Sequence, residues 1–262
     1  MNNNPIGIFD SGLGGLSVWR KVRDLLPEES LIYFGDGLNC PYGSKPASTV
    51  REYAFEITRR LLDKGVKLII IACNTATAAA IAELRTAFPD TPFVGMEPAV
   101  KPAALSTHSG VVAVLATEAS FEGELYKNTA LKYGRDIQIL AVPGTGFVEL
   151  VERNAEDSPE AREQVGRIVK PLIEAGADRI VLGCTHYPFL RDRIAEAAAG
   201  SGAEIIDPAP AVARQAERLL DELGLRAGPG HAPQYDFMTL GGEPYMQRLL
   251  AKAGLRPDMD LG

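Results

Sequence analysis

Short apolar runs rich in β-branched residues alternate with amphipathic segments along the chain. Each run is between four and seven residues long, which suits a buried strand, and the segments between runs have the length of helices. Strands that alternate with helices form parallel sheets, because a parallel connection needs a crossover that a helix usually supplies. The pattern predicts an α/β fold with strands at 5–10, 30–36, 67–73, 92–96, 110–115, 136–142, 178–184 and 203–206.

Two of the segments between strands carry an apolar stripe with the period of an α-helix. Val50, Ala54, Ile57 and Leu61 are spaced by three or four residues, and apolar side chains recur at the same spacing from Val165 to Leu172. Side chains with this spacing lie on one face of a helix. The stripes therefore predict helices that cover the sheets rather than a surface for a cofactor.

Two segments of the chain resemble one another. One buried strand runs into Cys73-Asn74-Thr75, and another runs into Cys184-Thr185-His186. Both cysteines fall at the carboxyl end of a strand, where open parallel sheets bind their ligands. The repeat predicts two similar α/β domains with mainly parallel sheets that face each other across an active-site cleft. We expect the first domain to comprise 1–97 plus 207–262 and the second to comprise 98–206.

Composition and charge exclude several classes of function. Apolar residues make up 46% of the chain and charged residues 23%, as in ordinary folded proteins. The formal net charge is −7 at pH 7, so nucleic acid is not an expected partner. No apolar stretch is long enough for a membrane span, and the first residues lack the pattern of a secretory signal. We therefore expect a cytoplasmic protein without a membrane partner.

The cysteines and histidines are too few and too scattered for a metal site. Cys40, Cys73 and Cys184 form neither a paired zinc motif nor a disulfide framework, and the three histidines are far apart in the sequence. No sequence feature marks a lysine for a Schiff base with a pyridoxal cofactor. We expect no metal and no cofactor, and we assign no role to Cys40.

Cys73 and Cys184 each stand where a predicted strand ends and a helix is expected to begin. The partial positive charge at a helix start favours a thiolate, and Asn74 or Thr75 is the expected cap after Cys73. His186 stands two residues beyond Cys184 and can exchange a proton with its thiol. A single buried cysteine is most often a small apolar side chain, whereas two in matched settings indicate a pair of acid–base groups.

The segment Asp10–Gly15 follows the first predicted strand and is rich in glycine. Its backbone amides are expected to approach an anionic ligand, and Asp10 is expected to bind an ammonium group or to assist a cysteine. A dinucleotide-binding loop is the alternative, since two glycines fit that pattern and Asp36 ends the second strand as a ribose-binding acid would. Ser17 stands where the pattern requires a third glycine, which disfavours this alternative.

Four segments resemble, in the same order, the signature segments of bacterial glutamate racemases, which are cofactor-independent amino-acid racemases. The segments are Asp10–Gly15, Pro41–Gly43, Ala72–Thr77 and Gly183–Pro188. The resemblance implies two α/β domains, no cofactor, and glutamate as a small-molecule substrate whose D-form is supplied to peptidoglycan synthesis. Members of that family are often homodimers, so the resemblance is compatible with a homodimer, although the sequence itself does not define the assembly.

The resemblance also implies roles for individual residues. Cys73 would take the α-proton of D-glutamate with help from Asp10. Cys184 would take that of L-glutamate with help from His186, and Glu152 matches a glutamate near the family's site. The residues that match the family's substrate contacts are Asp10, Ser11, Tyr42, Gly43, Asn74, Thr75, Thr185 and His186, with Ser120 in place of a more frequent threonine.

Three other functions stay open at this point. The wider family includes racemases of aspartate and of other amino acids, and a non-catalytic amino-acid-binding module would use the same cleft. A thiol oxidoreductase is disfavoured, because the cysteines do not form a Cys-x-x-Cys motif. Exchange of the substrate α-proton with solvent would distinguish a racemase from a binding module.

Overall fold

The computed structural model of the chain describes residues 1–255, so the end of the first expected domain, 256–262, lies outside the described residues. The strands within this part are β1 (Ile6–Asp10), β2 (Leu31–Gly35), β3 (Leu68–Ile71), β4 (Phe93–Gly95), β5 (Val111–Ala116), β6 (Gln138–Pro143), β7 (Arg179–Gly183), β8 (Glu204–Ile206) and β9 (Tyr235–Thr239). The α-helices are α1 (Leu16–Leu25), α2 (Ala47–Asp63), α3 (Asn74–Ala87), α4 (Val100–Ser106), α5 (Glu118–Glu122), α6 (Glu124–Tyr133), α7 (Phe147–Glu152), α8 (Pro159–Glu174), α9 (Arg191–Ala197), α10 (Ala209–Glu222) and α11 (Glu243–Ala253). Short 3-10 helices lie at Tyr42–Ser44 and Tyr187–Leu190.

Among residues 1–255, none of the helices combines the length and the apolar character that crossing a lipid bilayer requires.

The chain forms two compact units. The first unit comprises Met1–Met96 together with the segment that begins at Ala209, and the second unit comprises Glu97–Pro208. Each unit contains one sheet with helices packed against it. The domain bounds expected from the sequence, 1–97 plus 207–262 and 98–206, stay a prediction.

The sheet of the first unit contains five parallel strands in the order β4-β3-β1-β2-β9. Every residue of β1, β2 and β3 is buried, which explains why these strands have unbroken apolar sequences. The apolar stripe of α2 is buried as well, at Val50, Ala54, Ile57 and Leu61. Burial of these strands fixes the position of their carboxyl ends, where the first group of site residues lies.

The sheet of the second unit contains four parallel strands in the order β6-β5-β7-β8. The central strands β5 and β7 are almost wholly buried, and the edge strands β6 and β8 are partly exposed. The stripe of α8 buries Val165, Val169 and Leu172, whereas Ile168 is half-buried. The carboxyl ends of β5 and β7 position the second group of site residues.

The prediction of an α/β fold with parallel sheets is confirmed. All eight predicted strands are present, and their ends differ from the predicted ends by at most two residues. The sequence pattern missed β9, which lies at the edge of the first sheet and pairs with β2. Asp236 interrupts its apolar run, and its residues are only partly buried, so the strand lacks the signal of a central strand.

Candidate active site

The carboxyl ends of β1, β2 and β3 bring three side chains to one edge of the first sheet. Asp10 ends β1, and Asp36 and Cys73 lie one and two residues beyond β2 and β3. Backbone hydrogen bonds continue past the strands, since the amide of Asp36 donates to the carbonyl of Asp10 at 3.1 Å and that of Ala72 to the carbonyl of Phe9 at 2.7 Å. This edge is where open parallel sheets hold their ligands.

Cys73 itself caps helix α3. Its backbone is extended (φ −143°, ψ 119°), and its Sγ accepts a hydrogen bond from the amide of Ala76 at 3.4 Å. The expectation that Asn74 or Thr75 forms the cap is therefore wrong, because the helix begins one residue earlier and both of these residues lie in its first turn. Sγ thus lies directly at the positive end of the helix, where a thiolate is stabilised.

Asn74 is buried without a hydrogen-bond partner for its side chain. Its relative exposure is 4%, and within residues 1–255 neither its amide oxygen nor its amide nitrogen has a partner. An unsatisfied buried amide costs about 1–3 kcal/mol, so such groups are rare unless a ligand completes them. The side chain of Asn74, next to Cys73, can both donate to a carboxylate and accept from an ammonium group.

The glycine-rich loop after β1 binds the side chain of Asp10. The amides of Gly12 and Gly15 both donate to Asp10 Oδ2 at 3.0 Å. The expectation that these amides approach an anionic ligand is wrong for these two residues, because the buried carboxylate of Asp10 already provides the negative charge. These two amides are thus already bonded within the protein, which weakens the support for a dinucleotide-binding loop.

The side chain of Tyr42 is anchored by Asp36. The hydroxyl of Tyr42 donates to Asp36 Oδ2 at 2.6 Å, and the Nδ2 atom of Asn39 donates to both oxygens of the same carboxylate. Burial, followed by the nearby charge of Asp36, raises the pKa of Tyr42 far above its ordinary value, so the hydroxyl stays protonated. Asp36 is therefore a structural partner of Tyr42 rather than a ribose-binding acid, and it fixes the 3-10 helix that contains Gly43.

In the second unit a carboxylate, an imidazole and a thiol form one line of contacts. Glu152 Oε1, at the end of α7, lies 2.7 Å from His186 Nε2, and His186 Nδ1 lies 3.8 Å from Cys184 Sγ. A carboxylate accepts from Nε2, so Nδ1 is the ring nitrogen that faces the sulfur, and in a neutral imidazole its lone pair points there. This arrangement can receive the thiol proton of Cys184 and stabilise the imidazolium that results.

Cys184 follows β7, as expected, but no α-helix begins next to it. A turn leads into the 3-10 helix Tyr187–Leu190, and α9 begins only at Arg191. The buried hydroxyl of Tyr187 lies within hydrogen-bond distance of the carbonyls of Ala116 and Gly144, which connects this turn to the end of β5. The setting of Cys184 therefore differs from that of Cys73: a histidine, rather than a helix start, faces its thiol.

Ser120 lies in a hydroxyl pair near the end of β5. Thr117 caps α5, where its Oγ1 accepts from the amide of Ser120 at 3.2 Å and lies 2.8 Å from Ser120 Oγ. Ser120 is buried, and its position beyond β5 brings it to the carboxyl edge of the second sheet. Thr117 is a site residue that the sequence pattern did not indicate, although threonine is one of the residues preferred at the cap of a helix.

The predicted site residues fall into two groups, one in each unit. Both groups lie at the carboxyl edge of a sheet, and most of their side chains are buried. The first unit holds Asp10, Ser11, Tyr42, Gly43, Cys73, Asn74 and Thr75. The second unit holds Ser120, Glu152, Cys184, Thr185 and His186. Neither Cys73 nor Cys184 is joined in a disulfide, so both sulfurs are available as thiols.

Comparison with known proteins identifies relatives over almost the whole chain. Residues 14–216 match the sequence model of the family described as Asp/Glu/Hydantoin racemase. A glutamate racemase of Ectopseudomonas mendocina is 47% identical over 232 residues, which cover 88% of this chain and 88% of that protein. The length and identity of this match show common descent of the entire fold rather than of a single motif.

Solved structures give the same assignment. A glutamate racemase isoform from Bacillus anthracis has a TM-score of 0.88 at 29% identity and covers 99% of this chain and 97% of that one. The Francisella tularensis glutamate racemase in complex with D-glutamate has a TM-score of 0.84 at 28% identity, with coverage of 100% and 99%. The Escherichia coli glutamate racemase in complex with L-glutamate and the activator UDP-MurNAc-Ala has a TM-score of 0.83 at 31% identity, with coverage of 96% of each chain. The chain therefore belongs to the Asp/Glu/hydantoin racemase family and is an isomerase of the glutamate racemase group.

Proposed function

We propose that the chain interconverts L- and D-glutamate by moving the α-proton between two thiols, Cys73 and Cys184. The observation that carries the proposal is the presence of one buried thiol at the carboxyl edge of each sheet, each with its own polar partner. The amide at the start of α3 supports Cys73, and His186 supports Cys184. Racemisation needs a base on one face of the α-carbon and an acid on the other, and two such thiols provide them.

The two half-reactions balance without a cofactor. In the direction from L to D, the Cys184 thiolate removes the α-proton, and the Cys73 thiol donates its proton to the opposite face of the carbon. Cys184 then holds a proton and Cys73 is the thiolate, which is the state required for the reverse direction. Since the enantiomers have equal free energies in water, kcat/KM is equal in the two directions.

In the second unit His186 and Glu152 would prepare Cys184. The thiol proton moves to Nδ1 of His186, while the carboxylate at Nε2 stabilises the imidazolium. His186 is buried and Glu152 is half-buried, so the attraction between imidazolium and carboxylate is stronger than it would be in water. Glu152 acts through His186 in this scheme and is therefore a positioning residue.

In the first unit Asp10 and Asn74 would hold the substrate next to Cys73. The carboxylate of Asp10 is suited to an ammonium group, and the unsatisfied amide of Asn74 is suited to either charged end of an amino acid. We assign further contacts with the ammonium group and the two carboxylates by the family resemblance. These contacts are Ser11, Tyr42, Gly43, Thr75, Ser120, Thr185 and His186.

Glutamate is the proposed substrate because the Francisella and Escherichia coli relatives were solved with D-glutamate and with L-glutamate. We further propose that the D-glutamate serves peptidoglycan synthesis. The reaction would take place in the cytoplasm, whose reducing conditions keep thiols from forming disulfides. A homodimer, with which the resemblance is compatible, stays a prediction.

Exchange of the α-proton tests the proposal directly. In D₂O the ¹H NMR signal of the α-proton should decay for both L- and D-glutamate, and each sample should reach equal amounts of the two enantiomers. Aspartate is shorter by one methylene, and we expect its kcat/KM to be about 10- to 200-fold lower. Binding without exchange would refute catalysis, and faster exchange with aspartate would assign the chain to the aspartate racemases.

Replacement of Glu152 with glutamine should lower kcat/KM about 10- to 100-fold, the usual value of a hydrogen bond to a charged group. The amide oxygen of glutamine can still accept from Nε2 of His186, but the charge that stabilises the imidazolium is lost. Proton transfer from Cys184 to Nδ1 then becomes less favourable. Loss of the negative charge also disfavours protonation of His186 and of Cys184, so the acidic limb of the pH profile of kcat/KM should move to lower pH.

Glu149→Gln is the matched control for this variant. Glu149 lies on the same helix and is exposed, so the substitution removes an equal charge and leaves the contact between Glu152 and His186 in place. We expect its pH profile to coincide with that of the unmodified protein. If the pH profiles of Glu149→Gln and Glu152→Gln shifted equally, the shift would result from net charge. That outcome would contradict the proposed role of Glu152.

A further inference from the structure

Tyr33 lies beneath the loop that binds Asp10. Its side chain is fully buried on β2, the strand next to β1, and its hydroxyl donates to the carbonyl oxygen of Gly12 at 2.7 Å. The hydroxyl is therefore bonded to the backbone of the loop itself, whereas the ring packs near Phe237 of β9. The core needs only the ring, so the hydroxyl has a separate role.

Gly12 makes two hydrogen bonds, one through each of its peptide groups, and these connect Tyr33 with Asp10. Tyr33 fixes the carbonyl of Gly12, and the amide of the same residue donates to Asp10 Oδ2 at 3.0 Å. The amide of Gly15 donates to the same oxygen at 3.0 Å. Tyr33 thus restrains the peptide that follows Gly12, and through the Gly12 Cα it limits the rotation of the peptide whose amide holds Asp10.

Close packing makes this arrangement sensitive to small changes. A Cβ atom at Gly15 would lie 2.9 Å from the Tyr33 hydroxyl and 2.5 Å from Asp10 Cβ. A Cβ atom at Gly35 would lie 2.9 Å from the carbonyl oxygen of Gly12. Hydroxyl, loop and carboxylate are in direct contact, so displacement of one moves the others.

We infer that Tyr33 is a positioning residue for the half-reaction at Cys73, acting through the Gly12 carbonyl and Asp10. The inference rests on the proposed racemisation and assigns a role to a residue that does not touch substrate. Loss of the hydroxyl leaves a buried carbonyl without its donor and allows the loop to rotate. Asp10 then loses its fixed direction, and the proton transfer that it assists becomes slower.

Tyr33→Phe removes one oxygen atom and tests the inference through kinetic isotope effects. We expect kcat/KM to fall about tenfold, equally in both directions, which is within the range for loss of a buried hydrogen bond. The primary isotope effect on kcat/KM should increase with [2-²H]-D-glutamate, because removal of that deuteron by Cys73 becomes more rate-limiting. The effect should decrease with [2-²H]-L-glutamate, whose deuteron is removed by Cys184.

Opposite changes of the two isotope effects cannot result from a partly unfolded sample, since a smaller active fraction leaves both effects unchanged. Tyr235→Phe is the matched control, because it removes a hydroxyl from β9, the other neighbour of β2. Its isotope effects should equal those of the unmodified protein. In a second test Tyr33→Phe is added to Asp10→Asn, and kcat/KM of the double variant is compared with that of Asp10→Asn. We expect no further loss of kcat/KM.

The outcomes separate this inference from the proposed function. Unchanged isotope effects in Tyr33→Phe would overturn the role of Tyr33 but not the racemisation. The same holds if Tyr33→Phe lowers kcat/KM by the same factor in Asp10→Asn as in the unmodified protein. Absence of α-proton exchange in the unmodified protein would overturn the racemisation itself. Opposite changes of the isotope effects together with non-additive losses would support the inference.

Discussion

Alanine at Cys73 or at Cys184 is expected to lower kcat/KM for glutamate racemisation by about 10⁴-fold or more, the upper range for loss of a general acid–base group. In the proposed mechanism each thiol serves one face of the α-carbon, so neither can take over the role of the other. The loss should be equal in both directions for either variant, because the equilibrium constant between enantiomers is unity. Circular dichroism at a single wavelength, started from each enantiomer, measures both rates.

The two variants should differ in the half-reaction that survives. Cys184→Ala retains the Cys73 thiol and should slowly exchange the α-proton of D-glutamate in D₂O without forming L-glutamate. Cys73→Ala should do the same with L-glutamate and retain the contacts among Cys184, His186 and Glu152. NMR reports the exchange, and an enantiomer-specific assay reports inversion.

Cys40→Ala is the control for these variants. It removes the third cysteine of the chain, to which we assign no role, and it should leave most of the racemase activity intact. Full interconversion by either Cys73→Ala or Cys184→Ala would contradict the scheme with two thiols. If Cys184→Ala instead exchanged the α-proton of L-glutamate and Cys73→Ala that of D-glutamate, the scheme with two thiols would hold. The two thiols would then serve the opposite enantiomers.

The sequence predicts the central part of both sheets because burial imposes unbroken apolar runs. β1, β3 and β7 need no partner information to be recognised, since every one of their residues is inside the protein. β9 differs, because an edge strand is stabilised by pairing with β2 and tolerates Asp236. Its existence depends on a contact between residues that are far apart in the sequence, and a local pattern does not carry that information.

The same limit applies to the hydrogen bonds of the candidate site. The sequence indicates that Cys73 and Asp10 follow buried strands, which is a local property. It does not indicate that the amides of the glycine loop bind Asp10 rather than a ligand, or that Asp36 accepts from Tyr42. Partner choice among several donors and acceptors depends on distances of a few ångströms, which only the folded chain defines.

Replacement of Gly15 with alanine should affect both stability and activity. The backbone of Gly15 is right-handed helical (φ −62°, ψ −12°), a conformation that alanine adopts without strain, so the effect is purely steric. The added Cβ would lie 2.5 Å from Asp10 Cβ and 3.1 Å from Ala72 Cβ, and the first of these distances requires atoms to move. Overpacking of this kind costs about 1–3 kcal/mol. The amide that holds Asp10 would move away from the carboxylate.

We expect Gly15→Ala to lower kcat/KM about 100-fold, because a displacement of roughly 1 Å in a catalytic group has an effect of this size. The melting temperature should fall by roughly 2–10 °C, measured by circular dichroism. Gly166→Ala is the control, since Gly166 lies inside α8 and the nearest atom to its added Cβ is 3.7 Å away. Alanine favours a helix by about 1 kcal/mol over glycine, so this variant should melt at the same or a higher temperature. Wild-type activity in Gly15→Ala would show that the loop can move without displacing Asp10, and the contact between them would then have no role in catalysis.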